Sequence, residues 1–552
     1  MMRIFVALAF ASLTASIGFA HEDDGKIFDR KPAFRGPAWR ASQPTAGSAL
    51  AASAFPASGI SLQSWLTLPT FGTNISSAAS CFGYTSPSGR EYALLSLSHG
   101  TAVVEVTDPA NAQVISVIPA SASLWGDVRA YSHYAYAVKE SPVGVQVIDL
   151  ANVDAGTVTL VNTVSSPGSD SSHTLAIDET SGFLYRAGGS GNGLRIYSLA
   201  NPAAPVYVGE WQTRYVHEVT PVTYTSGPYA GKQIAFACSG QNSGWVNTGL
   251  DVLDVTNKSS IVPLAHVFWP NPGYSHQAWP SADMKYLFIN DEYDEVTYGT
   301  PTETIVFDIQ NLSNPVYLGR FTNGSLAIGH NLYTKGNLLF EANYTSGLRI
   351  FDVTNPISPT EIAWFDTFPA HDAPTFNSLW NVYPYFASGT VIGSDIEQGL
   401  FVWRVAGLPA PTTYCQGKAN SQGCVPAIGS TGSPSASSAA PFAVTASNFL
   451  NQKLGLLFYG TSAASGPFHG GTLCVKSPFT RTALQSSGGT SVPTVDCTGM
   501  YSFDFNAYLQ SGADPALQAA THVRCQYWSR DPNDPAGFFD SLSNALWFSI
   551  GL

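Results

Sequence analysis

The chain has 552 residues, a formal net charge of −13, 44% hydrophobic residues and only 11% charged ones. An acidic chain with no basic run excludes nucleic acid and anionic membrane as partners, and the apolar content excludes a largely disordered protein. The length allows more than one domain, and 12% aromatic residues with 50 Gly and 36 Pro suit short strands joined by many turns.

At the N-terminus, Arg3 precedes an apolar run over residues 4–13, and Gly18-Phe19-Ala20 puts small residues at −3 and −1. This is the pattern of a secretory signal peptide, residues 1–20, cut after Ala20. The run is too short to span a bilayer, and no later stretch is long and apolar enough to do so. No transmembrane segment is therefore expected after signal cleavage. Residues 21–58 are rich in Ala, Ser and Pro without hydrophobic period, and read as a poorly ordered lead-in.

Repeats occupy residues 59–405. Seven units are marked by strong strand phrases with period-two alternation, among them Gly144-Val145-Gln146-Val147-Ile148-Asp149, Gly249-Leu250-Asp251-Val252-Leu253-Asp254 and Gly347-Leu348-Arg349-Ile350-Phe351-Asp352. Four units open on a histidine: His173, His217, His276 and His330, spaced 44, 59 and 54 residues apart. Short strands at such a period predict a β-propeller. A fourth strand follows most units, but the seventh lacks one, because the chain leaves it at Ala406-Gly407-Leu408-Pro409. Residues 62–68 have the character of that missing strand and precede the first unit, so a closed seven-bladed ring is expected, with this strand beside Gly399-Leu400-Phe401-Val402-Trp403. Extra residues at 224–232 and 293–302 are expected to shape a binding face.

In such a ring, equivalent positions meet at one axis. The candidate ligand-binding residues at the channel mouth are Asp127, His173, His217, Glu218, His276, His330 and Asn377. The four imidazoles are candidate ligands for a transition metal in the central channel. The alternative is that they are polar channel-lining groups bonded to water and backbone. Asp291-Glu292 with Asp294-Glu295 could hold a hard cation or form a solvated loop, and the solvated loop is the favoured reading. There is no Gly-x-Ser-x-Gly nucleophile motif. Gly188-Gly189-Ser190-Gly191-Asn192-Gly193 precedes a strand, and reads as a hairpin turn.

After a linker at Leu408-Pro409-Ala410-Pro411 the repeats stop. Residues 412–552 read as a small β-sandwich holding five of the seven Cys, with disulfides expected, Cys415 with Cys424 first and Cys474 with Cys497 as a plausible second. The predicted fold class is thus all-β: a seven-bladed β-propeller followed by a small disulfide-containing β-sandwich.

Gly89-Arg90-Glu91-Tyr92-Ala93-Leu94, Trp125-Gly126-Asp127-Val128-Arg129, Ser275-His276-Gln277-Ala278-Trp279, Asn290-Asp291-Glu292 and Glu397-Gln398-Gly399-Leu400-Phe401 carry a resemblance over residues 60–405. The chain resembles the secreted choice-of-anchor B family, built from LVIVD-type propeller repeats. Its tail resembles modules that end many large secreted bacterial proteins. The resemblance implies fold and export and no particular chemistry. It leaves three functions to weigh: a secreted or cell-surface binding scaffold for an extracellular glycan, peptide or small molecule; a metal-dependent hydrolase or oxidoreductase using the His-lined funnel; and a structural envelope or matrix component.

Overall fold

A computed structural model describes residues 29–550, apart from 166, 168–169, 190–192, 240–247, 387, 406–410, 433, 437–439 and 518–520. The signal-peptide segment, most of the linker and the centre of the glycine-rich turn lie outside the described residues. Among the described residues, no helix is long and apolar enough to cross a membrane.

Residues 60–405 form seven antiparallel sheets, an all-β arrangement consistent with a β-propeller. Their first strands are, from sheet one to sheet seven, Ala78–Thr85, Gly126–Tyr131, Thr174–Asp178, Glu218–Thr223, Ser275–Pro280, Asn331–Lys335 and Leu379–Tyr383. Each packs against the first strand of the next sheet, and the last packs against the first, so the contacts close on themselves. In sheets one to six, four consecutive strands pair in chain order. In sheet seven the fourth strand is Ile60–Leu66, which pairs antiparallel with Gly399–Val405 where the sequence predicts it.

The repeat phrase has a physical reason at each end. Its leading glycine lies against the fourth strand's backbone: a Cβ at Gly193 would sit 1.5 Å from the Trp211 carbonyl oxygen, and one at Gly347 2.2 Å from that of Phe365. Both also have positive φ, +87° and +74°. Its closing aspartate turns the chain, because the side chain accepts the N–H two residues on, as in Asp149 to Ala151 at 2.8 Å and Asp352 to Thr354 at 2.9 Å. Between these ends the third and fourth strands share a bulge, seen at Ile196/Tyr197, Val252/Leu253 and Ile350/Phe351. A bulge increases local twist, which suits sheets arranged around an axis.

The described part of the lead-in is ordered, contrary to its composition. Trp39–Arg40 pairs with Ile60–Leu66, and Ala57–Ser58 pairs with Thr360–Phe365. Phe34 stacks on Trp65 at 4.7 Å, and Phe55 packs edge-on against Trp65 and Phe401 at 5.0 and 5.2 Å. A few aromatic anchors outweigh an otherwise small-residue segment.

The extra loops do not share one face. Residues 224–232 join the first and second strands of sheet four, whereas residues 293–302 join the second and third strands of sheet five. Antiparallel strands put these two connections at opposite ends.

Residues 411–550 form a sheet built on Leu454–Gly460, His522–Arg530 and Asp540–Ser549, and a three-stranded sheet of Ala427–Thr431, Ala443–Phe449 and Gly499–Asp504. Phe442, Phe449, Leu457, Tyr527 and Phe548 share one core there. The disulfides are Cys415–Cys474 and Cys424–Cys497, which corrects the expected Cys415–Cys424 and Cys474–Cys497 pairs. Proximity in sequence misleads here, because Cys415 follows the edge strand Thr412–Tyr414 and meets Cys474 of Gly471–Val475. Cys525 is a buried free thiol.

Two measurements check this fold. Non-reduced peptide mapping should recover these two links, and removing either should cost about 4 kcal/mol by loop-closure entropy, since they close 59 and 73 residues. The second concerns Lys139, buried between sheets one and two with Nζ donating to Ser96 Oγ at 2.8 Å and to the Leu97 carbonyl at 2.5 Å. Burial pushes its ammonium down to about 7. Between pH 7 and 10 the unfolded chain therefore binds more protons, and stability rises with pH by up to about 1.4 kcal/mol per unit. Denaturation of Lys139→Met should lack that part of the slope; an unchanged slope would show that Lys139 stays charged.

Candidate histidine centre

The position at the head of each first strand is held by Ala79, Gly126, His173, His217, His276, His330 and Trp380 from sheet one to sheet seven. In sheets five and seven it is a bulge: the pairing skips between Ser275 and Gln277, and between Leu379 and Asn381. A bulge re-aims the side chain it carries, here His276 and Trp380. At Gly126 a Cβ would meet Lys139 Cδ at 2.7 Å, so the buried lysine stem explains why sheet two offers no side chain.

The four imidazoles form one buried row. Ring centroids are 4.4 Å apart from His173 to His217, 4.5 Å to His276 and 4.1 Å to His330. His173, His217 and His276 each offer a ligand atom within 4.8 Å of the others. His276, Glu292 and His330 form a second such set. Glu292 Oε2 lies 3.7 Å from His276 Nε2, and Glu292 Oε1 lies 3.4 Å from His330 Nε2. Tyr344 donates its hydroxyl to Glu292 Oε1 at 2.8 Å.

Three rings are oriented from outside the row. His330 Nδ1 lies 2.7 Å from the Trp380 carbonyl, which can only accept, so Nδ1 carries the proton. His173 Nδ1 lies 2.7 Å from Glu140 Oε1, where an ionised carboxylate imposes the same tautomer. His217 Nδ1 meets the Tyr274 hydroxyl at 3.0 Å and that of Tyr215 at 3.3 Å. Nε2 is then the nitrogen each can present to its neighbours. Fixing Nδ1 through an outer partner is how imidazole ligands of metals are held.

In the sequence Glu292 stands within the acidic run, weighed there as a hard-cation site or a solvated loop and not joined to the histidines. That run is no solvated loop: Asp291, Glu292, Asp294 and Glu295 are all buried. Asp291 accepts from Trp269 Nε1 at 3.0 Å and from the Gly273 and Tyr274 N–H groups at 2.7 and 2.6 Å, a structural role. Glu295 accepts from the Gly329 N–H at 3.1 Å, beside His330, and burial raises both its acid and that of Asp294.

The remaining candidates sit elsewhere. Asp127 and Glu218 belong to the next layer along the strands. Asp127 pairs with Arg129 at 2.5 Å and accepts the Leu175 N–H at 2.9 Å. Glu218 accepts from Gln277 at 2.9 Å, and burial, then the charge of Asp127, push its acid up to about 8. Asn377 lies three residues before the equivalent position, which is Trp380. Its amide donates to the Asp29 carbonyl at 2.7 Å and to Glu397 at 3.0 Å, so the chain's own lead-in takes it up. Over the row lie Trp125 and Trp380, stacked at 4.6 Å, with Trp380 4.5 Å from His330 and 5.9 Å from His173. Tyr344 and Phe376 complete the cover.

The chain carries an LVIVD repeat at residues 330–367. That match starts at His330 and spans the four consecutive strands of sheet six, from Asn331–Lys335 to Thr360–Phe365, without the added Ala57–Ser58 strand. No curated protein matches the sequence. Among solved structures, a Lactobacillus plantarum protein is similar at 14% identity and TM-score 0.43, over 58% of this chain and 89% of its own. Kuenenia stuttgartiensis hydrazine synthase is similar at 13% identity and TM-score 0.43, over 59% of this chain and 95% of the other. A streptogramin B lyase is similar at 11% identity and TM-score 0.43, over 63% and 98%.

Burial makes the row chemically protected. Diethyl pyrocarbonate applied to the native protein should label exposed His371 and spare His173, His217, His276 and His330 until the chain unfolds. Native labelling of any of the four, mapped by mass spectrometry, would show the cover to be open.

Proposed function

We propose that the chain is an exported metalloprotein. In this reading residues 59–405 are a seven-bladed β-propeller whose axis carries a transition-metal centre, and residues 412–552 are a disulfide-containing β-sandwich. The observation that supports it best is the row of four imidazoles with one carboxylate, three of the rings held through Nδ1 by outer partners. The buried Glu292, with its carboxylate oxygens 3.7 Å from His276 Nε2 and 3.4 Å from His330 Nε2, adds an oxygen donor to the imidazoles. Imidazole-rich sets suit Zn, Cu, Fe and Ni. Such an ion supplies Lewis acidity or electron transfer, so the activity class is a metal-dependent hydrolase or oxidoreductase. The chain's own residues orient the rings, offset the charge through Glu292 and exclude water with Trp125 and Trp380.

Export is supported by the residue 1–20 pattern, by two disulfides and by the resemblance to choice-of-anchor B proteins. A second reading, a binding scaffold for an extracellular glycan, peptide or small molecule, is supported by the hydrogen bonds that already take up Nδ1 of His173, His217 and His330. There the imidazoles are hydrogen-bonding posts only.

Elemental analysis of untagged protein separates the two. The metalloprotein reading expects at least one equivalent of a first-row transition metal, lost in His276→Ala with the fold retained by circular dichroism. Wild-type protein that holds none, and takes up none from Zn2+, Cu2+, Fe2+ or Ni2+ solutions, favours the scaffold.

A further inference from the structure

We infer that the row is a two-ion centre, with Glu292 as a ligand and His276 at the junction. This rests on the metalloprotein reading. The five donors fall into two sets of three that share His276, and not into a single set of five. An ion with bonds of about 2.0–2.2 Å reaches donors no more than about 4.4 Å apart. Each set, with donor atoms within 4.8 Å of one another, therefore closes on an ion with small side-chain shifts.

The row advances by 4.4, 4.5 and 4.1 Å between ring centroids, so its ends serve different ions. Imidazole has two ring nitrogens, so His276 can serve both sides as an imidazolate, its ring proton released to solvent as the second ion binds. Its Nε2 faces Glu292 Oε2, which assigns that nitrogen to the second set.

The two sets differ in chemistry. His173, His217 and His276 form an all-nitrogen set, suited to copper or zinc. His276, His330 and Glu292 form a set of two histidines and one carboxylate, the donor type of non-haem iron(II). Their outer supports also differ. Glu140 and Tyr274 hold the first set, whereas the Trp380 carbonyl and the Tyr344 hydroxyl hold the second.

Metal-stripped, untagged full-length protein is dialysed against Co2+ and the bound metal counted, with His276→Ala as the measure of surface binding. The inference expects two equivalents above that background, one in Glu292→Gln and one in His173→Ala. One equivalent in wild type overturns the two-ion inference and leaves the metalloprotein reading standing; none overturns both. Should either variant fail to fold, wild-type protein loaded with Cu2+ decides. Two neighbouring Cu2+ ions give a half-field electron paramagnetic resonance signal, and its absence in protein saturated with Cu2+ overturns the inference.

Discussion

The arrangement depends on one recurring interaction: in most sheets, the residue just after the axial position reaches across to the neighbouring sheet. Asp127 accepts from the Leu175 N–H at 2.9 Å, Thr174 donates to the His217 carbonyl at 2.9 Å, and Gln277 donates to Glu218 at 2.9 Å. Gln277 also accepts from the Leu332 N–H at 2.6 Å, Asn331 donates to the Trp380 carbonyl at 2.9 Å, and Asn381 donates to Ser80 Oγ at 2.8 Å. Arg129 closes the circuit by donating to Ser80 at 3.4 Å and pairing with Asp127. These polar side chains add to the backbone bonds between adjacent sheets, such as Gly188 N–H to the Val216 carbonyl at 2.9 Å. They fix the height of each first strand, and thereby the height of the residue before them. The histidines meet because this layer holds their strands in step.

The same layer sets the electrostatics. It buries Asp127, Arg129 and Glu218 and balances them against each other and against neutral amides. One carboxylate, Glu292, faces two imidazoles, and rings with centroids 4.1–4.5 Å apart cannot all carry protons in a buried site. One protonated imidazole beside Glu292 balances that carboxylate, and so does a bound cation.

Much of this was legible in the sequence because repetition amplifies weak signals. Each strand phrase alone is ambiguous, but the leading glycine, the alternation and the closing aspartate recur, and each answers to a close approach, a buried face or a turn. The orphan strand at residues 62–68 could be placed because only the seventh unit lacked a fourth strand. What failed was non-repetitive. Glu292 belongs to one sheet and hid in an acidic run whose burial depends on packing. Asn377 was chosen by offset, three residues from Trp380, because a bulge and an irregular loop shift the register there. Cys415 was paired by nearness along the chain, although strand order brings it to Cys474. The lead-in looked disordered by composition because three aromatic anchors hardly register in an average.

X-ray absorption at the K-edge of the bound metal tests the central claim most directly. The account predicts a first shell of nitrogen and oxygen at about 2.0–2.2 Å, with the outer-shell scattering of at least two imidazole rings, reduced in His276→Ala. A shell of light atoms without imidazole scattering, unchanged by that substitution, would contradict it.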